Sequence, residues 1–254
     1  MKIGVMDGVL MKPWSELFEE AARLGFDGVE LDLRPESYRE SEVWSEAGRR
    51  ALRERSRRSG AAVASVCMDG VAGLMTKRET HEEGVRAVAD LRRYCDELGA
   101  GVILFPMIKQ RDQSEEEALA LWRDGFKAAL AQSGGCRAKV GMESVGRVGR
   151  TAEQTLAMIE AVGSPMLGAY YDVGNADYQG FDPIAEMEKL GGHIFQIHVK
   201  EIGAEMGEGK LDFPAIFATI KKVGFDGYLV LETEAGDDPS GNAARNLAFV
   251  RELL

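Results

Sequence analysis

The sequence predicts one (β/α)8 barrel spanning residues 1–254, and three observations carry that expectation. Short apolar runs rich in Val and Ile alternate with longer amphipathic stretches, and they do so eight times. Eight such units share the 254 residues at roughly 32 each, the length this kind of barrel uses. No Ser/Pro-rich linker, low-complexity tract or composition shift divides the chain. A doubly wound open sheet, the competing architecture, usually has fewer strands and often a glycine-rich phosphate turn after the first strand, where this chain has Asp7-Gly8-Val9-Leu10.

In chain order, the first strand is read at 2–6 and its helix at 13–25, where Gly25 supplies the left-handed stop. A strand at 27–33 precedes a helix at 42–59 closed by Gly60, and a strand at 61–68 precedes a helix at 79–99 closed by Gly99. The strand at 101–106 leads to a helix at 114–133, opened by a capping box of Ser114 with Glu117. After the strand at 137–143, Thr151 with Gln154 forms a second box on the helix at 152–163, which Gly163 ends. The strand at 166–173 is followed by a helix at 182–191, with Asp182 as cap, Pro183 at the first helical position and Gly191 as stop. A strand at 193–199, a helix at 212–224 stopped by Gly224, a strand at 227–232 and a helix at 239–254 opened by Asp238-Pro239 complete the set. ARLGFDGVEL at 22–31 and KKVGFDGYLV at 221–230 echo one another across a helix end and strand start.

With 31 basic against 42 acidic residues the chain carries a net charge of −11, which repels polyanions, so nucleic acid and anionic membrane surfaces are not its expected partners. Cys67, Cys95 and Cys136 are odd in number and widely spaced, which fits a reducing cytoplasm rather than a disulfide framework. Asp7 and Lys12 interrupt the N-terminus before a signal core forms, and no apolar run is long enough to span a bilayer.

Barrels of this type place their chemistry at the C-terminal strand ends. Four consecutive strands finish in Glu143, Asp172, His198 and Glu232, separated by about one βα unit, so neighbouring staves bring them to one mouth. A lone strand-end acid is often a helix cap, and a lone histidine is often a core residue. Three acids and an imidazole together would be costly to desolvate without a cation. The set is oxygen-dominated and suits one divalent ion, Mn²⁺, Mg²⁺, Co²⁺ or Zn²⁺.

GMES at 141–144, YYDVGN at 170–175, QIHVKE at 196–201 with the following GEGKLDFPAI, and LVLETE at 229–234 resemble the xylose isomerase-like TIM-barrel superfamily, in its sugar or sugar phosphate isomerase/epimerase branch. GFDGVEL, DELGAGVI at 96–103 and the closing acidic loop extend the likeness over essentially the whole chain. The resemblance implies a metal held by Glu143, Asp172, His198 and Glu232, with Mn²⁺ the first choice, and Glu143 and Glu232 doubling as acid/base carboxylates. It implies an enzyme acting on a small sugar, keto-sugar or sugar phosphate; the expected compartment is the cytoplasm, as the cysteines suggest, and the expected assembly a homodimer or homotetramer. Glu143 and Glu232 come from strands three staves apart and can flank a ketose, one removing a proton and the other returning it through an enediolate that the metal stabilises. A hydride shift would want more carboxylates than these four ligands supply. A keto-sugar or keto-inositol dehydratase using the same site is the alternative outcome, and an idle sugar-binding barrel is the alternative class.

Strand parity adds weaker candidates. Lys200 and Gln196 share a face with His198, as Tyr170 does with Asp172; Lys200 either steadies a substrate oxygen or phosphate or snorkels from the rim. Glu30 and Asp32 either bind sugar hydroxyls or pair with an arginine, and Arg147 and Arg150 either hold a phosphate or are surface charges. Glu208 stands between two glycines in a turn near the mouth. Asn175, a further substrate-contact candidate, stands where the nuclease branch and many ketose 3-epimerases have a histidine, and residues 199–210 lack the arginine those epimerases share. With His81, His193 and His198 its only histidines, the chain lacks the set that a three-metal nuclease site assembles. Arg49, Arg53 and Arg57, on one helical face with Glu46 and Glu54 nearby, read as a solvated outer helix, and Trp14, Trp44 and Trp122 read as packing residues.

Overall fold

Eight parallel strands close on one another in chain order in the computed structural model, which describes residues 1–34 and 38–254. They are β1 (Lys2–Met6), β2 (Gly28–Asp32), β3 (Ala62–Cys67), β4 (Val102–Met107), β5 (Lys139–Ser144), β6 (Leu167–Asp172), β7 (Ile194–Val199) and β8 (Tyr228–Leu231), and β8 returns to pair with β1. The helices are α1 (Asp7–Leu10), α2 (Trp14–Leu24), α3 (Glu46–Ser59), α4 (Asp69–Met75), α5 (His81–Leu98), α6 (Glu115–Gln132), α7 (Ala152–Val162), α8 (Val173–Tyr178), α9 (Pro183–Leu190), α10 (Phe213–Lys222) and α11 (Pro239–Leu253). The eight long helices expected from the sequence form the outer layer. The three short ones, α1, α4 and α8, lie at the C-terminal ends of β1, β3 and β6, where loops had been expected.

Two apolar compartments result. The larger lies between strands and helices, where Phe105, Trp122 and Phe126 pack with ring centroids 5.0–5.5 Å apart. The smaller, built on Cys67, Val102, Leu104 and Tyr170, fills part of the barrel's interior. Gly141 is needed there, because a Cβ at that position would lie 2.9 Å from the Cβ of Tyr170 on the neighbouring strand. Among the described residues no helix is long and apolar enough to cross a membrane, and all three cysteines are free thiols.

Several local expectations change. The Thr151–Gln154 box forms in both directions, whereas Ser114 only accepts from the Glu117 amide, so that box is half-made. The helix expected at 42–59 is a 3₁₀ turn over Glu42–Trp44 and then α3, because Ser45 is extended and caps the Gly48 amide. Gly191 has φ 51° but ψ −128°, outside the left-handed helical region, and opens a second 3₁₀ turn. Arg49 is not on a solvated face: it is buried, donates to Glu97 at 2.7 Å and to the Val43 carbonyl at 3.0 Å, and stacks 3.9 Å over the Tyr94 ring.

Arg92 is the other buried arginine, on α5, and it meets carbonyls instead of a carboxylate. It donates to the carbonyls of Ser133, Cys136 and Ala138 at 2.8–3.0 Å, tying the segment after α6 to the start of β5. Arg92→Met should leave these buried acceptors without donors and lower stability on the order of 3 kcal/mol, read as a lower urea midpoint at unchanged slope. A loss within experimental error would show that water replaces the guanidinium at no cost.

Candidate metal centre

The four strand-end residues meet. Glu143 on β5, Asp172 on β6, His198 on β7 and Glu232 just past β8 each offer one ligand atom, and all four atoms lie within 4.8 Å of one another. Parallel pairing sets this directly, since Asp172 and His198 are register partners and Glu232 follows Leu231, the partner of Val199. Asp172 also caps α8: its Oδ1 accepts from the Asn175 amide at 2.9 Å, leaving Oδ2 for the cluster.

His198 is held from below. With Nε2 protonated it donates to Glu30 Oε1 at 2.8 Å, which directs Nδ1 toward Glu232 at 2.9 Å, Glu143 at 3.1 Å and Asp172 at 3.9 Å. Glu30 is wholly buried. Its Oε2 accepts from Ser65 Oγ at 2.6 Å and from the Tyr170 hydroxyl at 2.7 Å, and Gln196 donates to both of those oxygens at 2.6 and 2.9 Å. A hydrogen-bonded layer inside the barrel thus fixes the imidazole's tautomer and orientation.

Glu30, Glu143, Asp172 and Glu232 confront two basic groups, His198 and Lys200. Lys200 Nζ lies 2.7 Å from Glu232 and 2.8 Å from Asp172, in space that Gly174 leaves free, since a Cβ there would come within 2.6 Å of the lysine Cγ. Burial pushes the Glu143 carboxyl up to about 8; His198 pulls it down, and Glu232 and Asp172 add like charge. Burial also opposes ionisation of Glu232, but His198 and Lys200 outweigh it and hold that carboxyl well below the usual range. Burial opposes the His198 imidazolium too, and Glu232, Glu30 and Glu143 overcome it. Asp172 Oδ2 is buried, and its close partner is the Lys200 ammonium at 2.8 Å. Three carboxylates and a directed imidazole nitrogen within 4.8 Å of one another, with negative charge in excess, fit a divalent cation.

The remaining candidates separate. Asn175 adjoins the cluster, its Nδ2 3.4 Å from Glu143 Oε1, and Lys200 lies within it. Glu30 lies beneath it, fully enclosed by the barrel's own donors and out of reach of a sugar hydroxyl. Arg147 and Glu208 are exposed on the segments after β5 and β7. Sequence reasoning passed over Glu201, which is buried and accepts from the Gly207 and Leu211 amides at 3.2 and 3.0 Å to shape the segment after β7. It also passed over Asp7, which accepts from the Trp14 indole at 2.7 Å and from the Asp32 amide at 3.2 Å. A signal existed: Met6-Asp7-Gly8-Val9 and Met68-Asp69-Gly70-Val71 repeat one another where β1 and β3 turn into helices. Trp14, expected to be packing alone, is thereby also a donor at the mouth.

Comparison with known proteins agrees with this architecture. The L-ribulose-5-phosphate 3-epimerases of Salmonella paratyphi C (strain RKS4594) and of Escherichia coli O157:H7 are each 25% identical over 255 residues, covering 95% of this chain and 90% of theirs. The fold superposes on E. coli 3-keto-D-glucoside 4-epimerase with a TM-score of 0.83 at 19% identity, covering 99% of both chains. It superposes on a D-psicose 3-epimerase with a TM-score of 0.85 at 15% identity, covering 100% of this chain and 99% of that one. These names are all of epimerases and lend no support to the dehydratase alternative. The family profile described as xylose isomerase-like TIM barrel matches residues 18–253, and the chain belongs to that family.

Proposed function

We propose that this protein is a divalent-metal-dependent epimerase or isomerase of a small ketose or its phosphate, working by proton transfer at a carbon beside the carbonyl. The observation that carries the reading is the convergence of Glu143, Asp172, His198 and Glu232 on one point, with His198 aimed by Glu30. The names of the relatives support the same reading. Glu143, Asp172, His198 and Glu232 would hold the ion, with Mn²⁺ the first to test. When bound, the ion polarises the substrate's carbonyl and adjacent hydroxyl oxygens as a Lewis acid.

The chain's own groups do the rest. Glu143 on β5 and Glu232 just past β8 come from strands three staves apart, so one carboxylate would take the proton from carbon and the other would deliver a proton to the opposite face. Lys200 keeps Glu232 ionised and aimed through its 2.7 Å contact, and Asn175 donates to Glu143. The free thiols and the acidic surface suit the cytoplasm.

Purified protein should take up about one Mn²⁺ per chain, and His198→Ala should weaken binding at least tenfold. Glu143 retains its proton up to about 8 and His198 holds one above its usual range, so an entering ion displaces protons. Affinity should therefore rise between about pH 6.5 and about pH 8.5, and uptake near pH 7 should acidify a weakly buffered solution. Equilibrium dialysis showing no bound ion, or equal affinity at both pH values, would contradict the assignment.

With a true substrate in D₂O the product should acquire deuterium at the reacting carbon. Glu143→Gln and Glu232→Gln should each cut turnover about a hundredfold or more, because an amide cannot exchange the proton. Near wild-type turnover in both variants would rule out the two-carboxylate mechanism.

A further inference from the structure

Lys200 stands two residues beyond His198, on the same face and just past the end of β7. A lysine at such a place can snorkel to the rim, yet this side chain is only 13% exposed and turns inward. Its ammonium lies 2.8 Å from Asp172 Oδ2 and 2.7 Å from Glu232 Oε2. Because β7 pairs with β6 on one side and with β8 on the other, a side chain leaving its end can bridge acids from both neighbours. The place is kept open for it by Gly174, where a Cβ would stand 2.6 Å from Lys200 Cγ and 3.1 Å from the Lys200 carbonyl oxygen.

The oxygens that Lys200 holds are the ones the cluster turns toward a cation. Asp172 Oδ1 is committed to the Asn175 amide at 2.9 Å, which leaves Oδ2 for the cluster. Glu232 Oε2 is also the oxygen 2.9 Å from His198 Nδ1, the nitrogen directed at the acids. An ammonium and a divalent ion therefore draw on the same two atoms. Carboxylate oxygens satisfy both kinds of cation, and two cations brought this close in a buried site repel one another strongly. Glu143 is approached differently, by the His198 imidazole at 3.1 Å and by the neutral Asn175 side-chain amide at 3.4 Å.

We propose that Lys200 is a tethered counter-cation, which competes with the divalent ion for Asp172 Oδ2 and Glu232 Oε2 and so keeps that ion exchangeable. The inference rests on the metal-centre reading and adds to it a residue that weakens the ion's hold. Glu30, Glu143, Asp172 and Glu232 are answered here by His198 and Lys200, so removing the lysine leaves the imidazole to face all four acids. Attraction for a divalent cation then grows, and in the absence of any cation the repulsion among the acids grows with it. Lys200 thus keeps two carboxylates converged when the cluster is metal-free, and it does so at a cost in affinity. A lysine that merely positioned the ligands would act with the opposite sign. Its loss would let both carboxylates turn away and weaken binding, as loss of a ligand's hydrogen-bond partner ordinarily does. The direction of the change in affinity therefore separates the two roles.

The test measures binding of Mn²⁺ alone, by equilibrium dialysis at about pH 8.5, where protons compete least. Lys200→Met removes the charge and the hydrogen bonds together, whereas Lys200→Gln keeps a donor and removes only the charge. Both variants should bind Mn²⁺ about tenfold tighter than wild type or more, and should release it to excess EDTA more slowly by a similar factor. Lys210→Met is the charge-matched control: Lys210 is 75% exposed on the same segment and pairs with Asp177 at 2.9 Å, so its loss should change Mn²⁺ affinity by no more than about twofold. Unchanged or weaker binding in either Lys200 variant, or equal tightening in Lys210→Met, would overturn the competition while leaving the metal centre intact. No Mn²⁺ bound by wild type or by any variant would instead overturn the metal centre and this inference with it. Thermal melts give a second reading. Saturating Mn²⁺ should raise the melting temperature of Lys200→Met by more than it raises that of wild type. An equal or smaller rise would overturn the competition, and the comparison holds even for a variant too unstable for dialysis.

Discussion

Everything at the mouth of this barrel depends on a buried carboxylate, Glu30. A wholly desolvated carboxylate is costly unless its lone pairs are used, and here three side-chain donors from three other strands converge on it: His198, Ser65 and Tyr170. Because the donors come from β7, β3 and β6, the interaction ties staves across the barrel, not merely neighbours. Its outward effect is chemical. By engaging Nε2, it turns Nδ1 toward the three outer acids.

Above that layer the charge balance reverses its usual logic. A barrel interior is ordinarily the most apolar part of the molecule, yet this one ends in an acid-rich ring answered by one lysine and one imidazole. Without a cation the ring must keep protons it would shed in water. Stability is therefore linked to the protonation of these groups, while the apolar layer around Trp122 and Phe105 carries most of the burial.

Much of this was legible in the sequence because periodicity fixes strand ends, and strand ends fix what reaches the mouth. Glu143, Asp172, His198 and Glu232 needed only the eightfold alternation to be grouped. What parity could not tell was depth. Glu30 and Asp32 share a face, but the first is sealed beneath the cluster and the second opens on a cleft, a distinction that depends on how far each strand runs past its neighbours. Arg49 misled for the opposite reason: a helical face rich in charge looks solvated until a tyrosine from α5 is found lying against it. The helices α1, α4 and α8 were missed because four to seven residues carry too little periodicity to register.

Asp172 has a double attachment whose consequence reaches beyond geometry. One of its oxygens already shares charge with the open amides at the start of α8, so the carboxylate is locked in one rotamer and its electron density is partly drawn off into the helix. Glu232, partly open to solvent, is positioned instead by charged side chains, with Lys200 at 2.7 Å and His198 at 2.9 Å. One acid of the cluster is thus set by the backbone of the helix that follows it and the other by its charged neighbours, so a change of charge in the cluster can shift the second without disturbing the first.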